Sequence, residues 1–285
     1  MSVLLKPFDR VRIGSGDARF YHADCLDVFR GLQPHSVDVI VTSPPYNLGI
    51  HYNQYDDTMS RADYLEWTHN WIGAAARVLR PDGSLFLNVG AKPTDPWTAL
   101  DVAQAARQHL ALQNTIHWIK SIAIDKHAAG AGAGLTKDLN VGHYKPINSD
   151  RFLNDCHEFI FHFTPQAKTP LDRTAIGVGY QDQSNVTRWR AAAGNKRCRG
   201  NTWFIPYETI QNRDKDRPHP ATFPPRVPEY CVRLHGIERT QLMVDPFLGL
   251  GSSALAAAQL GVDFIGIEID RHYLSEAVAR VKASI

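Results

Sequence analysis

The chain has few cysteines, and the four present (Cys25, Cys156, Cys198 and Cys231) lie far apart, with no C-x-x-C pair among them. That excludes a disulfide scaffold, which needs more cysteines in a shorter chain, and a cysteine-based zinc site, which needs clustered ligands. Reduced thiols in a cytoplasmic protein are the expectation. No stretch approaches the roughly 20 consecutive apolar residues that span a bilayer, and the charges at Lys6, Asp9, Arg10 and Arg12 break any signal-peptide core, so no membrane partner is expected. Charge of one sign is also lacking: 31 basic residues against 29 acidic leave +2. Overall charge therefore excludes nothing about nucleic acid, and its distribution must carry that argument.

Alternating strand and helix patterns are abundant. Residues 36–42 form a β-branched run that reads as a buried strand and leads into Ser43-Pro44-Pro45-Tyr46. Apolar positions from Arg61 to Arg80 repeat at helical spacing, and Pro81-Asp82-Gly83 should end that helix before a strand at Ser84–Val89. A helix at Thr98–Leu110 and strands at Asn114–Ile119 and Cys156–Phe163 follow. Between them, residues 121–150 hold the Ala/Gly run 128–134 and read as a mobile loop. The end of the chain is regular again. A helix at Val227–Leu234 precedes a strand running to Asp245, a helix at Ser252–Leu260, a strand to Glu268 and a last helix at Asp270–Lys282. Such alternation predicts a parallel sheet with crossover helices.

Residues 165–217 differ, with ten basic residues against five acidic and the aromatics Tyr180, Trp189, Trp203, Phe204 and Tyr207. Basic residues interleaved with aromatics suit contact with phosphates and bases. A solvated irregular insertion has the same composition, and composition does not separate the two.

Two motifs carry chemistry. The first is Asp245-Pro246-Phe247-Leu248-Gly249-Leu250-Gly251-Ser252, between a strand and a helix. Glycine there lets backbone approach a ligand, and the helix start offers free N–H groups. Seventeen residues beyond Gly251, Glu268 ends the next strand, where a carboxylate can accept from both hydroxyls of a ribose. This unit binds a nucleoside but does not by itself separate a dinucleotide from S-adenosylmethionine. Ala254 in place of the third glycine of G-x-G-x-x-G disfavours the dinucleotide, and Asp245 fits a partner for a cationic amino group.

The second motif is Ser43-Pro44-Pro45-Tyr46. Two prolines fix the backbone and leave acceptors without donors. An amine on an aromatic ring is a poor nucleophile because its lone pair is delocalised. Accepting its N–H bonds, from Ser43 Oγ and a carbonyl of the proline pair, restores that lone pair. Tyr46 would stack on a base removed from its helix.

Together these residues resemble the β group of DNA amino-methyltransferases from restriction-modification systems, in which an Asp/Asn/Ser-Pro-Pro-Tyr/Phe motif precedes Asp-Pro-Phe-x-Gly-x-Gly. The resemblance covers nearly the whole chain. His219-Pro220-Ala221-Thr222-Phe223-Pro224 resembles a further cofactor segment, with Pro218 replacing its usual lysine. Asp24-Cys25-Leu26 resembles the acidic strand end that contacts the cofactor adenine. The segments 142–146 and 151–163 resemble those flanking the DNA cleft. Leu250 departs from a position where a small or hydroxyl residue is common.

The resemblance implies a doubly wound, Rossmann-like class I S-adenosyl-L-methionine-dependent methyltransferase, circularly permuted. A catalytic half would span 1–164, a DNA-recognition insertion 165–217 and a cofactor-binding half 218–285. It implies catalytic roles for Ser43, Pro44, Pro45 and Tyr46. It implies cofactor contacts from Asp24, Thr222, Phe223, Asp245, Pro246, Phe247, Gly249, Gly251, Ser252 and Glu268, with no metal. Double-stranded DNA is the implied partner, with a cognate restriction endonuclease and a homodimer as further candidates. Serine at the motif's first position resembles N4-cytosine enzymes, with N6-adenine as the alternative. C5-cytosine chemistry needs a thiolate nucleophile after proline, which is absent. Two other classes fit the motifs less well. An NAD-dependent oxidoreductase leaves Ser43–Tyr46 without a role, and an inactive DNA-binding protein predicts decay of one motif.

Overall fold

A computed structural model describes residues 5–50, 54, 57–142, 147–180, 195–206 and 222–285. The expectations for His143–Pro146, Trp189, Tyr207 and His219 fall outside the described residues.

Among the described residues, nine strands form one open sheet. In chain order they are β1 (Asp9–Ile13), β2 (Gly16–His22), β3 (Val37–Thr42), β4 (Leu79–Val89), β5 (Ala111–Ile119), β8 (His157–Thr164), β11 (Thr202–Phe204), β12 (Leu242–Asp245) and β13 (Asp263–Glu268). Two two-stranded ribbons lie outside it: β6 (Ser121–Ile124) with β7 (Leu139–Gly142), and β9 (Val178–Gly179) with β10 (Lys196–Arg197). The helices are α1 (Cys25–Gly31), α2 (Arg61–Val78), α3 (Trp97–Ala106), the short α4 (Lys126–Ala129), α5 (Arg226–His235), α6 (Ser252–Leu260) and α7 (Arg271–Ser284).

Sheet order is β1-β2-β13-β12-β3-β4-β8-β5-β11. The strands from β2 to β4 are parallel, and β8 is antiparallel to both neighbours. Every residue of β3 is buried, as a central strand covered on both faces requires. Its side chains alternate: Val39 and Val41 join the core beneath α5, α6 and α7, while Ile40 joins the core beneath α1, α2 and α3. This is the doubly wound arrangement that the resemblance implies, built on the parallel strands that the alternating pattern predicts. The motif-bearing β12, last but one in the chain, lies beside β3 with Met243 opposite Val39.

Three local expectations change. Helix α2 stops at Val78, and Leu79 already belongs to β4. Val37 pairs with Leu79 but Val39 with Ser84, so Pro81-Asp82-Gly83 bulges out of a strand instead of preceding one. Residues 121–150 are not loop throughout, because the β6–β7 ribbon brackets the Ala/Gly run. The basic segment also contributes to the main sheet. There β11 pairs with β5, and Trp203 and Ile205 are buried in the core.

Candidate active site

Parallel pairing of β3 with β12 brings the carboxyl ends of both strands to one edge, where open α/β sheets hold their ligands. A cavity of about 190 Å³ opens there. Ser43, Pro44, Pro45 and Tyr46 line it, as do Asp24, Thr222, Phe223, Asp245, Pro246, Phe247, Gly249, Ser252 and Glu268. Residues some 200 positions apart thus share one wall system.

Gly251 is the site residue that stays out. It takes φ +79° at the start of α6, and a Cβ on it would lie 2.9 Å from Ala277 Cβ. Its smallness lets α6 and α7 pack, whereas Gly249 faces the cavity.

Asp245 is buried at the centre of the wall. Its Oδ1 accepts from Thr42 Oγ1 at 2.7 Å and from the Phe247 amide at 3.0 Å, and its Oδ2 accepts from Ser253 Oγ. Burial raises its carboxyl pKa to about 6 despite these donors, which favour the ionised form. Glu268 accepts from the Gly249 amide at 2.8 Å through Oε2 and from the Asp270 amide at 2.9 Å through Oε1. Its pKa is also raised by burial. Asp24 caps α1 by accepting from the Leu26 amide at 2.7 Å.

Sequence reasoning missed several cavity residues. Helical spacing alone puts Trp67 with the apolar face of α2, where Tyr64 and Trp71 are buried. Trp67 instead faces the cavity, its ring 5.3 Å from that of Phe247. Ile269, Asp270 and Tyr273 line the wall as well. Asp270 Oδ1 caps α7 by accepting from the His272 and Tyr273 amides, but Oδ2 is buried with no partner. The signal for Asp270 was a helix-capping aspartate two residues beyond Glu268.

Four carboxylates (Asp24, Asp245, Glu268 and Asp270) therefore line the cavity, and among the described residues no lysine or arginine does. Such a wall suits a cationic ligand and opposes a pyrophosphate, which dinucleotide sites meet with donors and positive charge.

The Ser-Pro-Pro-Tyr segment is anchored by side chains. Tyr64 donates from its hydroxyl to the Pro45 carbonyl at 3.0 Å. Tyr46 is only 8% exposed. Its hydroxyl lies 2.6 Å from Ser43 Oγ and donates to Glu158 Oε2 at 3.1 Å. Asn88 Nδ2 donates to the Tyr46 hydroxyl and to Glu158 Oε2, both at 2.7 Å. Tyr46 is thus a fixed wall of the cavity, not a freely rotating platform.

Residues 37–279 match the DNA methylase family of N6/N4 type. The chain belongs to that family, and its sheet is the Rossmann-like sheet of class I methyltransferases. The type II methyltransferase M.HpaI of Haemophilus parainfluenzae is 26% identical over 267 residues, covering 93% of this chain and 74% of the relative. The type II methyltransferase M.ScaI of Streptomyces caespitosus is 26% identical over 278 residues, covering 94% and 83%. Among solved structures, the cytosine-N4-specific PvuII DNA methyltransferase superposes with a TM-score of 0.63 at 16% identity, covering 96% of this chain and 90% of that one.

Proposed function

We propose that this protein transfers a methyl group from S-adenosyl-L-methionine to the exocyclic N4 of a cytosine drawn out of duplex DNA. The observation that carries the reading is the shared cavity, in which the amine-accepting Ser43–Tyr46 segment faces the carboxylate-lined wall of Asp245 and Glu268.

The wall fits the cofactor's chemistry. Glu268 offers a carboxylate for ribose hydroxyls, and Trp67 and Phe247 an aromatic surface. Asp270 Oδ2 is a buried acceptor still lacking a donor. Asp245 uses three of about four acceptor positions, leaving one for an ammonium group. Held there, S-adenosyl-L-methionine would supply an electrophilic methyl group on a sulfonium whose sulfur would keep the bonding pair.

The chain's own residues prepare that nitrogen. Ser43 Oγ accepts one N–H. The Pro45 carbonyl is already engaged by Tyr64, which points to the Pro44 carbonyl for the other. Accepting both bonds localises the nitrogen lone pair for attack on the methyl carbon, and the methylated nitrogen, positively charged after transfer, releases its proton to water. Tyr46, fixed by its hydroxyl, gives the extruded base an aromatic wall.

Serine at the motif's first position resembles N4-cytosine enzymes, and the N4-specific PvuII enzyme, whose fold is similar, supports that choice. For the insertion at 165–217, Lys196 and Arg197 are exposed on β10 and are candidates for phosphate contact. Trp203, buried in the core, is not available for base contact. The test is mass spectrometry of nucleosides from duplex DNA treated with protein and cofactor. N4-methylcytosine is expected, and N6-methyladenine would transfer the same site to adenine.

A further inference from the structure

The cavity rests on a buried polar network whose far end lies on a strand outside both motifs. Glu158 is on β8, where alternation puts it on the opposite face from His157. Its Oε1 is paired with Lys120 Nζ at 2.9 Å, and both side chains are largely buried. Its Oε2 accepts from Asn88 Nδ2 and from the Tyr46 hydroxyl. Gly90 makes room for this contact. A Cβ there would lie 3.1 Å from Tyr46 Cε2 and 3.3 Å from Glu158 Cδ.

Resting on the proposed function, we infer that Glu158, held by Lys120, is a positioning residue that sets the direction of hydrogen bonding through Tyr46, so that Ser43 Oγ meets the substrate amine as an acceptor. A carboxylate paired with an ammonium only accepts. The Tyr46 hydroxyl has one proton and gives it to Glu158. The same carboxylate fixes the Asn88 amide with its NH2 group toward Tyr46. In the 2.6 Å contact between Ser43 and Tyr46, the proton must then come from Ser43. With that proton committed, Ser43 Oγ has only lone pairs left. Asn88 Nδ2 reaches one weakly, at 3.3 Å, and the other serves the cavity. An aspartate at the motif's first position accepts without assistance; a serine is also a donor, and its acceptor role has to be imposed.

Glu158→Gln tests this with little change of shape. Lys120 will hold the amide oxygen, which turns the NH2 toward Tyr46 and reverses the chain of donors. Methyl transfer from tritiated S-adenosyl-L-methionine to unmethylated duplex DNA should then fall roughly 100-fold in kcat, as for loss of an oriented transition-state hydrogen bond. KM for DNA and cofactor affinity should stay within about twofold, because the effect acts through the reacting amine. Because Glu158 acts only through Ser43, adding Glu158→Gln to Ser43→Ala should produce no further loss. Tyr46→Phe cuts the same link and should reproduce the kcat loss even if Glu158→Gln folds poorly. Full kcat in either single variant, or additive losses in the double variant, would overturn the inference. No transfer by the wild-type protein would instead remove the proposed function itself.

Discussion

Thr42 Oγ1 donates a 2.7 Å hydrogen bond to Asp245 Oδ1, joining two motifs 203 residues apart where β3 and β12 meet. Both side chains are buried, so the bond is made away from bulk solvent. Thr42→Val keeps the shape and removes the donor. It should lower stability by about 1.5–3 kcal/mol, the range for hydrogen bonds to charged groups. Urea denaturation measures this; an unchanged midpoint would mean that the bond contributes nothing.

Asp245 also predicts a pH dependence of cofactor binding. Its folded pKa, raised to about 6 by burial, means that the carboxylate protonates just below neutrality. A cationic ligand favours the ionised form. Affinity for S-adenosyl-L-methionine should hold above pH 7 and weaken about tenfold between pH 7 and 5. Titration calorimetry across that range checks it, and a flat profile in the wild type would remove Asp245 from the binding charge.

Gly251 predicts a stability effect without a direct contact to ligand. Its φ of +79° and the 2.9 Å approach to Ala277 make Gly251→Ala both strained and crowded. A loss of about 1–3 kcal/mol is expected. Chemical denaturation would reveal it, and a stable variant would show that α6 and α7 can separate at little cost.

A buried histidine pair predicts acid sensitivity. Ser84 Oγ lies 2.9 Å from His235 Nδ1 and 3.0 Å from His162 Nε2. Burial is the main cause holding His162 down to about 3 and His235 to about 4, with His235 and Arg239 as the respective neighbouring charges. Both folded values lie below the unfolded value near 6.5, so the unfolded chain binds more protons in between. Stability is full above pH 6.5 and should fall by up to about 1.4 kcal/mol per pH unit per histidine as pH drops to 4.5. Asp245 and Glu268, whose carboxyl pKa values burial raises, oppose this, so the histidine contribution is the part of the acid sensitivity that His162→Gln removes. Equal loss of stability on acidification in the wild type and in that variant would contradict the assignment.

The fold was legible where strands are central. The buried run 37–42 and the segment from Leu242 to Ser284 declare themselves through unbroken apolar stretches, a capping aspartate and left-handed glycines. The N-terminal hairpin β1–β2 was not, because its burial alternates on a short polar sequence. Nor was β11, whose pairing with β5 is a tertiary event. At the site, both motifs announced their residues, yet nothing in the strand pattern around Glu158 marks it as part of the site. Its link to Tyr46 depends on β8 inserting antiparallel between β4 and β5, which no local pattern encodes. Trp67 was hidden among core aromatics of the same helix for a similar reason.

In the proposed reaction, Ser43 activates an amine for methyl transfer inside the cavity that Asp245 and Glu268 complete. Tritium counting of unmethylated duplex DNA, after incubation with labelled S-adenosyl-L-methionine and either the wild type or Ser43→Ala, tests it most directly. The wild type should label the DNA, and the variant should lose transfer by roughly 100-fold or more while binding the cofactor normally. Equal labelling by both proteins, or none by the wild type, would contradict the account.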